Sequence, residues 1–325
     1  MSIFENSAIE TGSEENFFWA TAPSNIALVK YMGKSCVNNN IADNVSLSFT
    51  LKEKAAKVEL HLADSWKWQP LVDFGILLDL SQSEQEKYIE FGKTVAQELG
   101  IKEAFLIKSS CNFPISCGIA SSAASFAALT SCLVNAASVL VEGFNIDFDT
   151  MVNLSQKGSG SSVRSFLNDW VVWDNIVTNV ENNFKACKHK VVVVSSAKKL
   201  ISSSVAHKLV KTSLLYENRE KRAYVRYSKI KQALLEKDWF VIFEQSWQDF
   251  WDMHSLFHTS SPGFSYINSA TLDVLEAVKA FWQKHQDGPV VTLDAGANVH
   301  LLYRDDQAEL INIFIKSLDK QYMIL

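Results

Sequence analysis

The run PISCGIASSAA at 114–124 constrains the fold more than any other stretch of the chain. It follows a strand-like segment at 104–109 and opens an alanine-rich helix expected over 121–140. Side chains this small let a ligand approach the backbone. The first N–H groups of a helix have no partner inside the helix, so they point at whatever lies before it. A strand that delivers the chain to such a helix start builds a ready anion site. Ser121 and Ser122 add hydroxyls that can donate to phosphate oxygens or hold a cation. GxxxxGK[ST] is absent, so this is not a Walker A loop. Tight packing of small residues at a helix start would give the same composition, and on this segment alone both readings stand.

Three further segments carry donors in a similar setting. KGSGSSVR at 157–164 is a small-residue turn with an arginine one helical turn downstream. The planar guanidinium of Arg164 matches a carboxylate or a phosphate, and the plain alternative is a surface loop. DAGAN at 294–298 lies between two apolar strands. An aspartate at the end of a buried strand needs a partner, whereas a simple turn would use Asp294 for an Asx hydrogen bond. APSNIALVKYMGK at 22–34 is an apolar strand followed by Lys30, Tyr31 and Lys34, which gathers donors for a multiply charged anion at one strand end.

Periodicity predicts helices at 82–99, 121–140, 148–156, 216–236, 239–256, 270–285 and 307–318. Strands are predicted at 52–62, 104–109, 171–173, 190–195, 290–293 and 299–303. Strands and helices mix without strict alternation, which indicates an α+β fold. The polar stretch 180–190 marks a boundary between two domains, 1–188 and 189–325, meeting across a cleft. The apolar run 125–141 is broken by Thr130, Ser131 and Asn135, so it is expected as a buried helix and not a membrane span. Lysine plus arginine is 31 and aspartate plus glutamate is 36, a net charge of −5 that argues against nucleic acid as a partner. Cys36, Cys111, Cys117, Cys132 and Cys187 form no CxxC, which is expected of free thiols in a reducing compartment. The polar, acidic start of the chain is not expected to act as a secretory signal. His254 and His258 have metal-ligand spacing but sit among Trp247, Phe250 and Trp251, and a packed helix face is expected.

With the four segments in this order, the chain resembles the GHMP kinase superfamily and, within it, the mevalonate diphosphate decarboxylase family. The resemblance runs from about Ala20 to about Tyr303. It rests on the opening pattern at 22–34, the phosphate loop at 112–124, GSGSSVRS at 158–165 and the aspartate turn at 294–298. Weaker echoes are KLISSS at 199–204 and Met253-His254 leading to Ser261-Pro262. The resemblance implies a two-domain GHMP kinase fold with a central cleft. Its N-terminal part would be ribosomal protein S5 domain 2-like and its C-terminal part ferredoxin-like. It also implies a reaction: ATP-dependent decarboxylation of mevalonate 5-diphosphate to isopentenyl diphosphate, with carbon dioxide, ADP and phosphate released. A GHMP-type small-molecule kinase, or a decarboxylase acting on a related mevalonate monophosphate, is the alternative.

The same resemblance assigns roles. Asp294 would orient the tertiary 3-hydroxyl and take its proton, with Lys30 beside it in the catalytic set. Arg164 would grip the substrate carboxylate. Tyr31, Lys34 and Lys30 would bind the diphosphate, and Asn25 and Ser161 would position the substrate. Gly118, Ala120, Ser121 and Ser122 would hold the ATP phosphates, with Ser122 on Mg²⁺. Ser202 or Ser203 would hold the transferred phosphoryl group. A cytoplasmic homodimer without nucleic-acid or membrane partners is expected. The chain departs from the family pattern at Met32 for tryptophan and Ala297 for proline. It departs again at Asn44-Val45-Ser46 for Asn-Ser-Ser and at Asn168-Asp169 for Gly-Gly.

Overall fold

The computed structural model describes residues 4, 7–14, 17–36, 40–114, 119–184, 186–197, 199–318 and 321–325. Its first half is built on two long strands. The first strand, β1 (Glu10–Glu14), leads into β2 (Phe17–Val29), which is almost wholly buried from Ala22 onward. A short hairpin, β3 (Lys34–Cys36) and β4 (Ile41–Ala42), precedes β5 (Ser46–Ala63). Next come β6 (Lys67–Pro70), α1 (Gln82–Glu98), β7 (Ala104–Cys111), α2 (Ser121–Leu140) and α3 (Phe148–Gly158). A 3-10 turn at Gly160–Ser165 leads to β8 (Trp170–Asp174) and β9 (Ile176–Asn179). The sheet order is β1-β2-β5-β7-β6, with β8 on β5 and β9 on β8. Among the described residues, only β6 and β7 pair in parallel. The apolar helix α2 packs across β2 and β5, with two thirds of its most apolar window buried inside the protein.

Two irregularities in the β2–β5 ladder shape the site. The register jumps after Pro23, which has no N–H to continue it, and shifts again between Ala27 and Val29. The second shift leaves the Ala27 carbonyl to accept from the Lys30 ammonium at 2.7 Å and from the Thr292 hydroxyl at 2.9 Å. The end of β2 is thereby tied to the second half of the molecule.

That half carries an antiparallel sheet. β10 (Cys187–Val193) is followed by α4 (Ser203–Leu209), α5 (Arg219–Glu236), α6 (Trp239–Thr259) and α7 (Ser269–His285). The chain closes with β11 (Val290–Thr292), β12 (Val299–Arg304), α8 (Ala308–Ser317) and β13 (Met323–Ile324). Strand order is β11-β12-β10-β13. The α+β architecture is that expected, with differences at the ends. The strand predicted at 52–62 begins at Ser46, because polar Ser46, Ser48 and Thr50 are buried by β2 and β8. The helix predicted from 216 starts at Arg219, because Asn218 adopts a left-handed φ of 64° that no helix can include. The strands at 10–14, 34–36, 41–42, 67–70, 176–179 and 323–324 and the helix α4 are not among the predicted elements.

Helix α6 lies between the second sheet and β2, and it carries a buried charge into that seam. Arg219 and Asp249 are 2% and 0% exposed. The guanidinium grips both Asp249 oxygens at 2.8 and 3.1 Å and reaches Asp252 at 2.8 Å. It also donates to the Lys30 carbonyl at 2.8 Å, while Asp249 accepts the Lys30 N–H at 2.8 Å. Desolvating such a pair costs nearly what the pair returns, so its main effect is to fix where Lys30 sits. Asp249→Ala would leave the guanidinium with Asp252 as its one remaining close anion and the Lys30 N–H without its acceptor, and is expected to cost about 3–5 kcal/mol. Urea titration checks this; a loss below about 1 kcal/mol would mean that water reaches the cluster.

Candidate active site

Between the two halves lies a cleft of about 700 Å³. Its floor is the end of β2 and the DAGAN turn. Lys30 is 3% exposed, and its ammonium lies 2.5 Å from Asp294 Oδ1. The Asp294 side chain stays 26% exposed, facing the cleft. Burial alone would raise the carboxyl; the Lys30 charge, His300 and the Lys30 hydrogen bond outweigh it and hold it below the usual carboxylate range. Burial draws the Lys30 ammonium down against the pull of Asp294. Asp294 therefore does not serve the turn through its side chain. The turn is held by its backbone: the Asp294 carbonyl accepts from Gly296 N–H at 2.7 Å and from His254 Nε2–H at 3.1 Å. Asn298 Oδ1 accepts two backbone N–H groups at 2.9 and 3.0 Å.

Arg164 stands above this pair. It is 3% exposed and donates to Ser46 Oγ at 2.9 Å and Asn25 Oδ1 at 3.2 Å. Its Nε has no partner, and no carboxylate lies within ion-pair reach among the described residues. A buried guanidinium held only by neutral groups awaits an anion. Asn25 also donates to Ser165 Oγ at 2.9 Å and to the Ser161 carbonyl at 3.2 Å, so it fixes the arginine loop. The departure at Val45 removes no contact here: Val45 is buried in the core, and the hydroxyl that meets Arg164 is that of Ser46.

One end of the cleft is rich in donors. Tyr31 lies 5.8 Å from the Arg164 guanidinium, and burial pushes its phenol up to about 12. Lys34 donates to Asn40 Oδ1 at 2.6 Å, and burial lowers its ammonium. The opposite wall is the start of α2. Ala120 occupies the N-cap and offers no side chain, so the first N–H groups stay free of a side-chain cap. Ala120, Ser121, Ser122, Ser159 and Ser161 all border the cleft. Ser122 Oγ lies 3.4 Å from Ser159 Oγ, and Ser159 Oγ 3.0 Å from Ser161 Oγ. The cleft lining also takes in the apolar Leu78, Leu80, Phe91 and Phe126, together with Glu84 and Lys87.

Of the predicted residues, the cleft gathers Asn25, Lys30, Tyr31, Lys34, Ala120, Ser121, Ser122, Ser161, Arg164, Ser203 and Asp294. Gly118 lies outside the described residues. Ser202 is not brought to the cleft: its hydroxyl accepts from Val205 N–H as the N-cap of α4, which turns Ser203 and Ser204 inward instead. Sequence reasoning missed Lys199, which enters the cleft, with no carboxylate partner among the described residues, 5.9 Å from the Tyr266 ring. It missed His207 too. Lys199 stood in a quoted motif, as the cation ahead of a serine run. The pair His254 and His258 forms no metal cluster among the described residues; His254 instead anchors Asp294.

The histidines around this floor are held neutral by burial: His207 and His254 at about 3, His300 at about 4. His189, 3.0 Å from His300, is also held well below its ordinary value. In the unfolded chain each would bind a proton below about pH 6.5. A histidine with a lowered native value binds fewer protons folded than unfolded, so stability falls as pH falls from about 6.5 toward 4. Four such groups give a slope of about 5.5 kcal/mol per pH unit once the unfolded state is protonated. Guanidinium titrations at about pH 7.5, 6.5 and 5.5 should show this loss, reduced by about a quarter in His254→Phe. Equal stability at the three values would contradict it.

Comparison with known proteins places this geometry. The model of the diphosphomevalonate decarboxylase-like N-terminal domain matches residues 22–183, and that of the mevalonate 5-diphosphate decarboxylase C-terminal domain matches 190–323. The diphosphomevalonate decarboxylase of Saccharomyces cerevisiae is 28% identical over 326 residues, covering 92% of this chain and 80% of the relative. The crystal structure of a mevalonate diphosphate decarboxylase from Legionella pneumophila is 44% identical, with a TM-score of 0.89 over 95% of this chain and all (100%) of that one. A structure in complex with MVAPP, AMPPCP and magnesium shares the fold at 24% identity, with a TM-score of 0.83 over 95% of this chain and 96% of its own.

Proposed function

This chain belongs to the diphosphomevalonate decarboxylase family, and we propose that it converts mevalonate 5-diphosphate and ATP to isopentenyl diphosphate, carbon dioxide, ADP and phosphate. The observation that carries this reading is Arg164, a buried guanidinium with no carboxylate partner among the described residues, beside a carboxylate held ionised by Lys30. A kinase needs the second feature; loss of a carboxylate from the substrate calls for the first.

The residues act as follows. Asp294 accepts a hydrogen bond from the tertiary 3-hydroxyl and takes its proton as the oxygen bonds to phosphorus. Lys30 keeps Asp294 ionised and fixed. Arg164 holds the substrate carboxylate in the plane from which carbon dioxide departs as the 3-phosphate leaves. Tyr31 and Lys34 hold the 5-diphosphate. The free N–H groups of α2, with Ser121 and Ser122, fit the nucleotide phosphates, and the apolar lining at Phe91 and Phe126 fits the base. Ser122 is the proposed ligand for Mg²⁺, which when bound neutralises phosphate charge. Lys199 and Ser203 fit the transferred phosphoryl group. Phosphoryl transfer asks mostly for positioning and charge neutralisation, and this inventory supplies both. A cytoplasmic homodimer enters the proposal on family resemblance, with the domain boundary expected at 188/189 moved ahead of β10, because Cys187 and Lys188 already pair with β12.

The test measures ADP and carbon dioxide together. With mevalonate 5-diphosphate, ATP and Mg²⁺, one carbon dioxide should appear per ADP; ADP without carbon dioxide would make the protein a kinase. Asp294→Asn should lower turnover by at least about a hundredfold. Because the block falls before phosphoryl transfer, no 3-phosphorylated intermediate should collect in a rapid quench. Its accumulation would move Asp294 to the decarboxylation step.

A further inference from the structure

One buried side chain in the cleft has no role in that reaction. His207, on α4, is 7% exposed and borders the cleft. Its ring stacks on Tyr31, with centroids 4.9 Å apart and planes 22° apart. The N–H of Gly33 donates to His207 Nδ1 at 3.0 Å. A ring nitrogen that accepts carries no proton, so the neutral ring must carry its proton on Nε2. Gly33 is itself fixed: its φ is +103°, and a Cβ there would meet the Tyr216 hydroxyl and Asp43. No group among the described residues accepts from Nε2. His207 is thus locked as a neutral donor with one free N–H.

Its surroundings say what it donates to. Lys34 is close enough for its charge to disfavour protonation of the His207 ring, an effect added to burial. Tyr31 lies between the arginine proposed for the carboxylate and His207, touching both. The Nε2–H therefore belongs to the donor-rich end, with Tyr31 and Lys34, and not to the reacting carbon. Lys34 and Tyr31 come from the first half of the molecule, whereas His207 comes from the second. An anion bridging them would be gripped from both sides of the cleft.

We propose that His207 Nε2–H donates to an oxygen of the substrate's 5-diphosphate and is a specificity-determining residue for the second phosphate. This rests on the reading given above. Because Nδ1 already faces a donor, a second ring proton would oppose Gly33 N–H. The grip is therefore neutral and insensitive to pH across the range in which a free histidine titrates.

His207→Asn keeps an acceptor near Nδ1 for Gly33 but removes the distal N–H. In that variant the dissociation constant for mevalonate 5-diphosphate should rise about tenfold to a hundredfold. The constant for the 5-monophosphate should rise much less, and that for ATP should stay unchanged. Unaltered affinity for the diphosphate in a folded variant would overturn the proposal. Long-range ¹H–¹⁵N spectra of the wild-type protein provide a second measurement that needs no substitution. They should show His207 in the Nε2–H form, with that proton moving downfield when inorganic diphosphate is added. A His207 resonance indifferent to diphosphate, or protonated on Nδ1, would also overturn it. Should the wild type turn over no mevalonate derivative, the reaction fails as a reading, while the inorganic diphosphate titration still decides His207.

Discussion

The Lys30–Asp294 ion pair is the interaction on which the site depends, because it joins two separately built halves at the one place where chemistry is required. Lys30 directly follows the long strand β2 of the first sheet, and Asp294 opens the turn that follows β11 of the second. Neither group would stay charged alone at this depth. Each is the reason the other is tolerated, so docking of the halves and ionisation of the carboxylate are one event. The bulge in β2 supports this by freeing the Ala27 carbonyl, which accepts one hydrogen bond from the lysine and one from the Thr292 hydroxyl.

Around that pair the fold separates charges that are satisfied from charges that are not. Arg219 is buried and its charge is met by Asp249 and Asp252, although its Nε has no partner, so its role is structural. Arg164 is buried to the same degree and engaged only by neutral oxygens. The same residue type at the same depth therefore has opposite meanings, and the partner list decides between them. Lys34 and Lys199 follow Arg164 in one respect: the first is half-buried and the second exposed, and neither has gained a carboxylate among the described residues. A cleft lined in this way has stored electrostatic work that a polyanion releases on binding.

Much of this was legible in the sequence, for a definite reason. Asn25, Lys30, Tyr31, Lys34, Arg164 and Asp294 lie in short runs whose composition of small residues and donors has no easy use in a core. The long helix α2 was legible because twenty residues of helical character follow a strand. The buried network of Arg219, Asp249 and Asp252 was not. On α5 those charges look like the solvated face of an amphipathic helix, and on α6 the aspartates are hidden among aromatic residues. Only tertiary packing turns them toward Lys30. Ser202 and Ser203 are adjacent and chemically alike, so sequence could not tell which caps α4 and which faces the cleft. His207 carried no signal, because its meaning comes from a hydrogen bond to Gly33, 174 residues away in the chain.

The central claim is that Lys30 holds Asp294 ionised against its burial. The pH dependence of kcat/KM, compared between the wild type and Lys30→Met, tests it most directly. Methionine keeps the length of the side chain and removes the charge. The account predicts no carboxylate inflection in the wild type down to about pH 5, below which histidine protonation begins to unfold the chain. In Lys30→Met, burial acts on Asp294 opposed only by His300 and Lys199, and the residual activity should show an acid limb shifted above about pH 5. Identical acid limbs in the two proteins would contradict the claim.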